Sequence, residues 1–149
     1  MKNKLILVVL VIILVFAITA CSKNVENDNN NASNKKEVIS MIKVVIDEKE
    51  YIIKLDDNKT SKSFINLLPQ ELNMSELNGN EKYVYLDNKL PVNSYNPKRI
   101  NKGNVMLFGN NCLVIFYKSF DTSYSYTKIG HIDNLPDLGN GDVLVKFKK

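Results

Sequence analysis

Arginine and histidine occur once each in these 149 residues, as Arg99 and His131, and cysteine twice, as Cys21 and Cys112. Two cysteines allow one bridge at most, which excludes a scaffold framed by disulfides. His131 has Asp133 two positions on, on the same face of a strand, and two residues do not make a metal site. The positive charge is almost all lysine, scattered singly, whereas a polyanion site needs a clustered stripe, so nucleic acid is not expected as a partner. A Ser-His-Asp set could be drawn from Ser123 or Ser125, His131 and Asp133, but no G-x-S-x-G surrounds either serine. The carboxylate pairs Glu71 with Glu76 and Asp56 with Asp57 lack the apolar surroundings that would split their pKa values and read as solvated. No cofactor is implied.

What is present begins with a leader. Lys2 and Lys4 precede an unbroken apolar run from Leu5 to Ile18, shorter than the roughly 20 residues a spanning helix needs and of the length of a signal-peptide core. The run ends in Ile18-Thr19-Ala20-Cys21, which resembles the lipobox of bacterial lipoproteins. That resemblance implies cleavage before Cys21, lipid on its sulfur and an anchor on the extracytoplasmic face of the cell membrane. An uncleaved anchor helix and an ordinary secreted protein are the alternatives. Cleavage would remove two lysines and no acid, lowering the formal charge from +4 by two. With Cys21 lipidated, Cys112 has no partner; it heads an apolar stretch and reads as a small buried hydrophobe. The Asn-rich segment after Cys21 carries too little apolar surface to offset its chain entropy, so residues 21–37 are expected to be a flexible tether. A flexible chain of that length reaches roughly 20 to 25 Å.

From residue 38 to 149 the pattern is that of one mostly-β domain. Ile42, Val44 and Ile46, then Tyr51, Ile53 and Leu55, recur with period two on either side of Asp47 to Glu50 and predict a hairpin with one buried face. Capping residues from Asp57 to Ser63 lead into Phe64, Leu67 and Leu68, the spacing of a short amphipathic helix that ends before Pro69 and is placed to plug one open end of a barrel or sandwich. Asn78-Gly79 between Glu71–Leu77 and Tyr83–Leu86 marks a second hairpin. Leu90 to Asn104, with Pro91 and Pro97, reads as an irregular loop, and Leu135 to Asp142 as another. Val105–Phe108 and Cys112–Tyr117 flank Gly109-Asn110-Asn111 as a third hairpin, Thr127–Ile132 is strand-like, and Val143, Val145 and Phe147 close the chain. Cys112 to Tyr117 is too short and β-branched for a helix and predicts a strand buried on both faces.

Four segments carry a family resemblance: M-S-E-L-N-G-N-E-K-Y-V-Y-L (74 to 86), S-Y-N-P (94 to 97), N-V-M-L-F-G-N-N-C-L-V-I-F-Y-K-S-F (104 to 120) and T-S-Y-S-Y-T-K-I-G-H-I (122 to 132). Over about Met41 to Phe147 the chain resembles a bacterial family of cyclophilin-like domains. The resemblance implies a closed eight-stranded β-barrel with one short helix near its start. It transfers no catalytic residue. Cyclophilins that act as prolyl isomerases use an arginine in an F-H-R context and a following F-x-x-Q-x-G-D segment. Neither occurs here, and Arg99, in N-P-K-R, does not align with that arginine.

Functional expectation centres on the loops flanking the apolar stretch. Asp121 to Thr127 combines Tyr124 and Tyr126, flat apolar contacts with polar tips, with Ser123, Ser125 and threonine hydroxyls. Asn93 to Pro97, with Tyr95 and Asn96, supplies an opposite wall, and Arg99 the one guanidinium. The same residue types favour turns for backbone reasons alone. The expected function is a non-catalytic, membrane-anchored domain binding a small molecule or peptide through Tyr95, Asn96, Arg99, Ser123, Tyr124 and Tyr126. The alternatives are a prolyl isomerase acting on exported proteins and an accessory lipoprotein binding a membrane partner.

Overall fold

The computed structural model describes residues 40–149. The expected signal segment 1–20, lipidated Cys21 and tether 21–37 lie outside them. Ten strands and one helix follow in chain order: β1 Met41–Ile46, β2 Lys49–Leu55, α1 Lys59–Asn66, β3 Gln70–Leu77, β4 Glu81–Tyr85, β5 Arg99–Ile100, β6 Asn104–Phe108, β7 Cys112–Phe116, β8 Phe120–Asp121, β9 Thr127–Ile132 and β10 Val143–Lys148. Eight of them close into an antiparallel barrel in the order β1-β10-β3-β4-β7-β6-β9-β2, and β5 pairs with β8 as a separate ribbon. Closure leaves the barrel no unpaired edge.

The turns follow from local chemistry. Asn78 and Gly79 both take positive φ, 56° and 67°, and with Asn80 they make a three-residue connection between the paired Leu77 and Glu81. Asp47 and Glu48 take positive φ without glycine, at 46° and 65°, and are the only residues between the paired Ile46 and Lys49, the two-residue loop for which a type I′ turn is suited. The first hairpin is thus tighter than the four-residue turn the sequence suggests.

The helix is capped by Asn58, whose side chain accepts from the Ser61 amide at 2.9 Å and donates to the Lys128 carbonyl at 2.9 Å. Ser61 donates to the Ile129 carbonyl at 2.8 Å, fastening α1 to β9. Phe64, fully buried, meets Phe147 edge to face with centroids 5.3 Å apart, so α1 packs across the end of the barrel where β10 finishes. Near the start of β10 the Lys82 ammonium donates to the Gly139 and Gly141 carbonyls at 2.7 and 2.6 Å and lies 5.1 Å from the Tyr117 ring centroid. Burial holds the Lys82 pKa below its ordinary value, against the pull of Glu76 and other carboxylates nearby.

Two apolar clusters explain why the central hairpin has no polar face. Val105, Leu107, Leu113 and Ile115 point into the barrel, while Met106, Cys112, Val114 and Phe116 point outward into a second cluster with Ile100 and Tyr126. All five β7 residues are buried, so the expectation of a strand covered on both faces holds. The cover comes from segments whose sequence reads as loop. The stretch expected to be irregular, Leu90 to Asn104, contains β5 and an isolated bridge from Tyr95 to Tyr126; the expected polar loop begins inside β8 at Asp121. Ordering comes from pairing between the two segments: Arg99 and Ile100 oppose Asp121 and Phe120, and the Arg99 guanidinium donates to Asp121 at 2.7 Å.

In β9 the interior residues Ile129 and Ile132 are an odd number apart and would face opposite ways in a regular strand. A register shift against β6 at Val105/Met106 corrects the phase. The neighbouring Gly130 is obligatory for a different reason: a Cβ there would lie 2.5 Å from the Lys54 carbonyl oxygen and 2.9 Å from Ile53 Cγ2.

Ile115 is fully buried at the centre of the inner cluster. Ile115→Ala should destabilise the barrel by about 2–5 kcal/mol, read as a lower midpoint in urea unfolding at unchanged slope.

Candidate functional site

The outer cluster stops short of the β3–β4 turn, and there a cleft of about 320 Å³ opens on the outside of the barrel, lined by Leu77, Asn78, Glu81, Tyr83, Tyr85, Phe108, Cys112, Val114, Tyr124 and Tyr126. Strand periodicity builds most of it. Glu81, Tyr83 and Tyr85 alternate with the inward Lys82 and Val84, so three outward side chains of β4 form one wall. Cys112 and Val114 of β7, cross-strand from Tyr85 and Tyr83, form the floor. Phe108 ends β6 and meets Tyr124 edge to face at 6.0 Å, with Tyr126 tilted against it at 5.6 Å. Tyr83 and Tyr85 pair edge to face at 6.0 Å. Tyr85 and Tyr124 are 65% and 63% exposed and make a rim; Tyr126 is 6% exposed and sits beneath them.

Glu81 is the polar centre of this aromatic surface. It is 9% exposed, and among the described residues its carboxyl makes neither an ion pair nor a hydrogen bond. Its cross-strand neighbours are Leu77 and Phe116. Burial, reinforced by the nearby Glu76 carboxylate, raises its pKa from 4.5 to about 7. Burial together with Glu81 pushes the Cys112 thiol up to about 11, which keeps it protonated and poorly nucleophilic. The phenol of Tyr126 is raised for the same reasons, burial first.

Of the residues singled out in the sequence, Tyr124 and Tyr126 line the cleft and Tyr95, Asn96, Arg99 and Ser123 do not. Tyr95 is held by its backbone, exchanging hydrogen bonds of 3.0 Å with Tyr126, and stays 46% exposed. Asn96 donates to the Ser123 carbonyl at 2.8 Å and accepts from the Lys98 amide at 2.7 Å, so it ties the two covering segments together. Arg99 is committed to Asp121. Tyr83, Tyr85, Phe108 and Glu81 are the cleft residues that sequence reasoning passed over. The period-two run of β4 after Asn78-Gly79 carried the signal, but Glu81 precedes the obvious strand formers.

His131 is half-exposed, with Nε2 3.5 Å from Asp133 and Nδ1 3.4 Å from the Asn104 amide nitrogen. Asp133 is shared with Lys54, whose ammonium hydrogen bond holds the Asp133 pKa down. No hydrogen bond joins Ser123 or Ser125 to this pair. Among the described residues no cluster of three His, Cys, Asp or Glu is placed to hold a metal ion, and no helix is long and apolar enough to cross a membrane.

The sequence model of the cyclophilin-like family matches residues 44–148, and the chain belongs to that family. No curated protein and no solved structure matches it.

The Glu81 pKa has a stability consequence whose sign is fixed. Folding raises it, so between the unfolded value of 4.5 and about 7 the native state binds more protons than the unfolded one. Stability from this group is complete below pH 4.5 and is lost as pH rises through 7, by on the order of 2 kcal/mol once water at the open cleft is allowed for. Urea midpoints measured across that window should fall for the wild type, and Glu81→Gln should remove this fall.

Proposed function

We propose that this domain is a non-catalytic binding module that holds a small ligand or peptide segment in the outer cleft. The observation that carries the reading is the cleft itself, in which five aromatic side chains surround one desolvated carboxyl. A volume of about 320 Å³ is that of a small-ligand site, apolar in lining with few polar groups to fix orientation. Rotation about an X–Pro amide faces a barrier of about 18–20 kcal/mol, and lowering it calls for a donor aimed at the amide nitrogen. Among the described residues no arginine, lysine or histidine lines the cleft, so the isomerase alternative gains no support from it.

A thermal-shift screen of soluble residues 37–149 tests this reading. Hits should lose about tenfold in affinity on Tyr85→Ala or Tyr124→Ala. Hits indifferent to both changes would place binding elsewhere, and acceleration of prolyl isomerisation in a protease-coupled peptide assay would replace the reading with an enzymatic one.

The reading includes an anchor: lipid on Cys21 holds the domain at the extracytoplasmic face of a bacterial membrane, with residues 21–37 as tether. It is supported by the lipobox-like Ile18-Thr19-Ala20-Cys21 after an apolar run. In cells given a labelled fatty acid the wild-type chain should take up label and sediment with membranes. Cys21→Ala should abolish the labelling; label retained on that variant would refute the anchor.

A further inference from the structure

The cleft is one-sided in charge. Among the described residues Glu81 is its single carboxylate, no basic residue lines it, and its other residues are aromatic, aliphatic, Asn78 and the protonated Cys112. The nearest lysine in sequence, Lys82, is turned into the barrel and held by two carbonyls. Folding therefore strips much of the water from the Glu81 carboxyl without giving it a partner among the described residues, which is costly for the ionised form unless a proton or an outside cation compensates. Tyr83 and Tyr85 stand on one side of the cleft and Phe108 and Tyr124 on the other, each pair edge to face. Faces of aromatic rings attract ammonium groups, most strongly where water is displaced.

We propose that the cleft takes a small organic cation, with its ammonium group paired to the Glu81 carboxylate and its apolar body packed among Tyr83, Tyr85, Phe108 and Tyr124. The proposal rests on the reading of the cleft as a binding site and names its ligand class. The cleft volume suits a compact molecule. The ion pair forms at the cost of a proton when Glu81 is neutral, so affinity should rise with pH. The titratable groups coupled to Glu81 are Cys112 of β7 and Tyr126 on its own side of the sheet, and Glu76 of β3 and Tyr117 on the other. Cys112, Tyr117 and Tyr126 are all held above their ordinary values and stay protonated near neutrality.

Isothermal titration of the full chain in neutral detergent with 2-phenylethylammonium and its uncharged counterpart 2-phenylethanol tests the proposal. At about pH 8 the wild type should prefer the ammonium by about tenfold, and the preference should shrink toward about pH 6 as Glu81 takes up its proton. Glu81→Gln should abolish the preference, and Tyr124→Ala should weaken both probes. Equal affinities in the wild type, or a preference that survives Glu81→Gln, would overturn the cation while the cleft reading stands, provided Tyr124→Ala still weakens binding. Absence of binding by either probe up to about 10 mM, or binding indifferent to Tyr124→Ala, would overturn both. The wild-type pH series decides the matter even if a variant fails to fold.

Discussion

Two-sided burial of the β6–β7 hairpin is the constraint on which the rest of the molecule depends. A strand in a small barrel normally shows one face to the core and one to water. Here Cys112, Val114 and Phe116 are buried as well as Leu113 and Ile115, so something outside the barrel must cover them. The cover is the pair of excursions carrying β5 and β8, which contribute Ile100 and Phe120, together with Tyr126. Its exposed ion pair between Arg99 and Asp121 adds little energy in water. What that pair contributes is geometry, since it fixes the ribbon over the outer cluster. The cleft lies where this cover ends: Cys112, Val114 and Tyr126 belong both to the outer cluster and to the cleft lining. Position and apolar character of the site are thus consequences of how the second face is packed.

The same packing decides the chemistry. Burial raises the pKa of every acidic group at the cleft floor that shifts: the Glu81 carboxyl, the Cys112 thiol and the Tyr126 phenol. Desolvation dominates these groups, and among the described residues no cation lines the cleft to answer it. The organic cation proposed for the cleft would supply the charge that its lining lacks.

Much of the barrel was legible because its strands announce themselves by period. Ile42-Val44-Ile46 and Val143-Val145-Phe147 alternate cleanly, Asn78-Gly79 marks its own turn, and Asn58 caps α1 by a rule of local geometry. The covered faces of β6 and β7 could be inferred from missing alternation, but what covers them could not, because β5 and β8 are two residues each and owe their existence to one another. The bulge that brings Ile129 and Ile132 to the same side leaves no mark except Gly130. Within the site, tyrosines in hydroxyl-rich sequence drew attention to Tyr95 and Tyr124 alike; only the long-range bridge from Tyr95 to Tyr126 separates them. Glu81 leaves the least trace in the sequence, since a carboxylate at the start of a strand looks solvated until the neighbours across the sheet are known.

Glu81 and Lys82 are consecutive, yet one faces the outer cleft without a partner among the described residues and the other faces the interior with two carbonyl oxygens on its ammonium. A slip of β4 by a single residue would exchange their surroundings. The carboxylate would then point at carbonyl oxygens that can only repel it, and the ammonium would emerge among the outer tyrosines. Hydrophobic patterning guards the register of the other strands; in β4 the two carbonyls that hold the Lys82 ammonium add a polar check of their own to the strand that shapes the site.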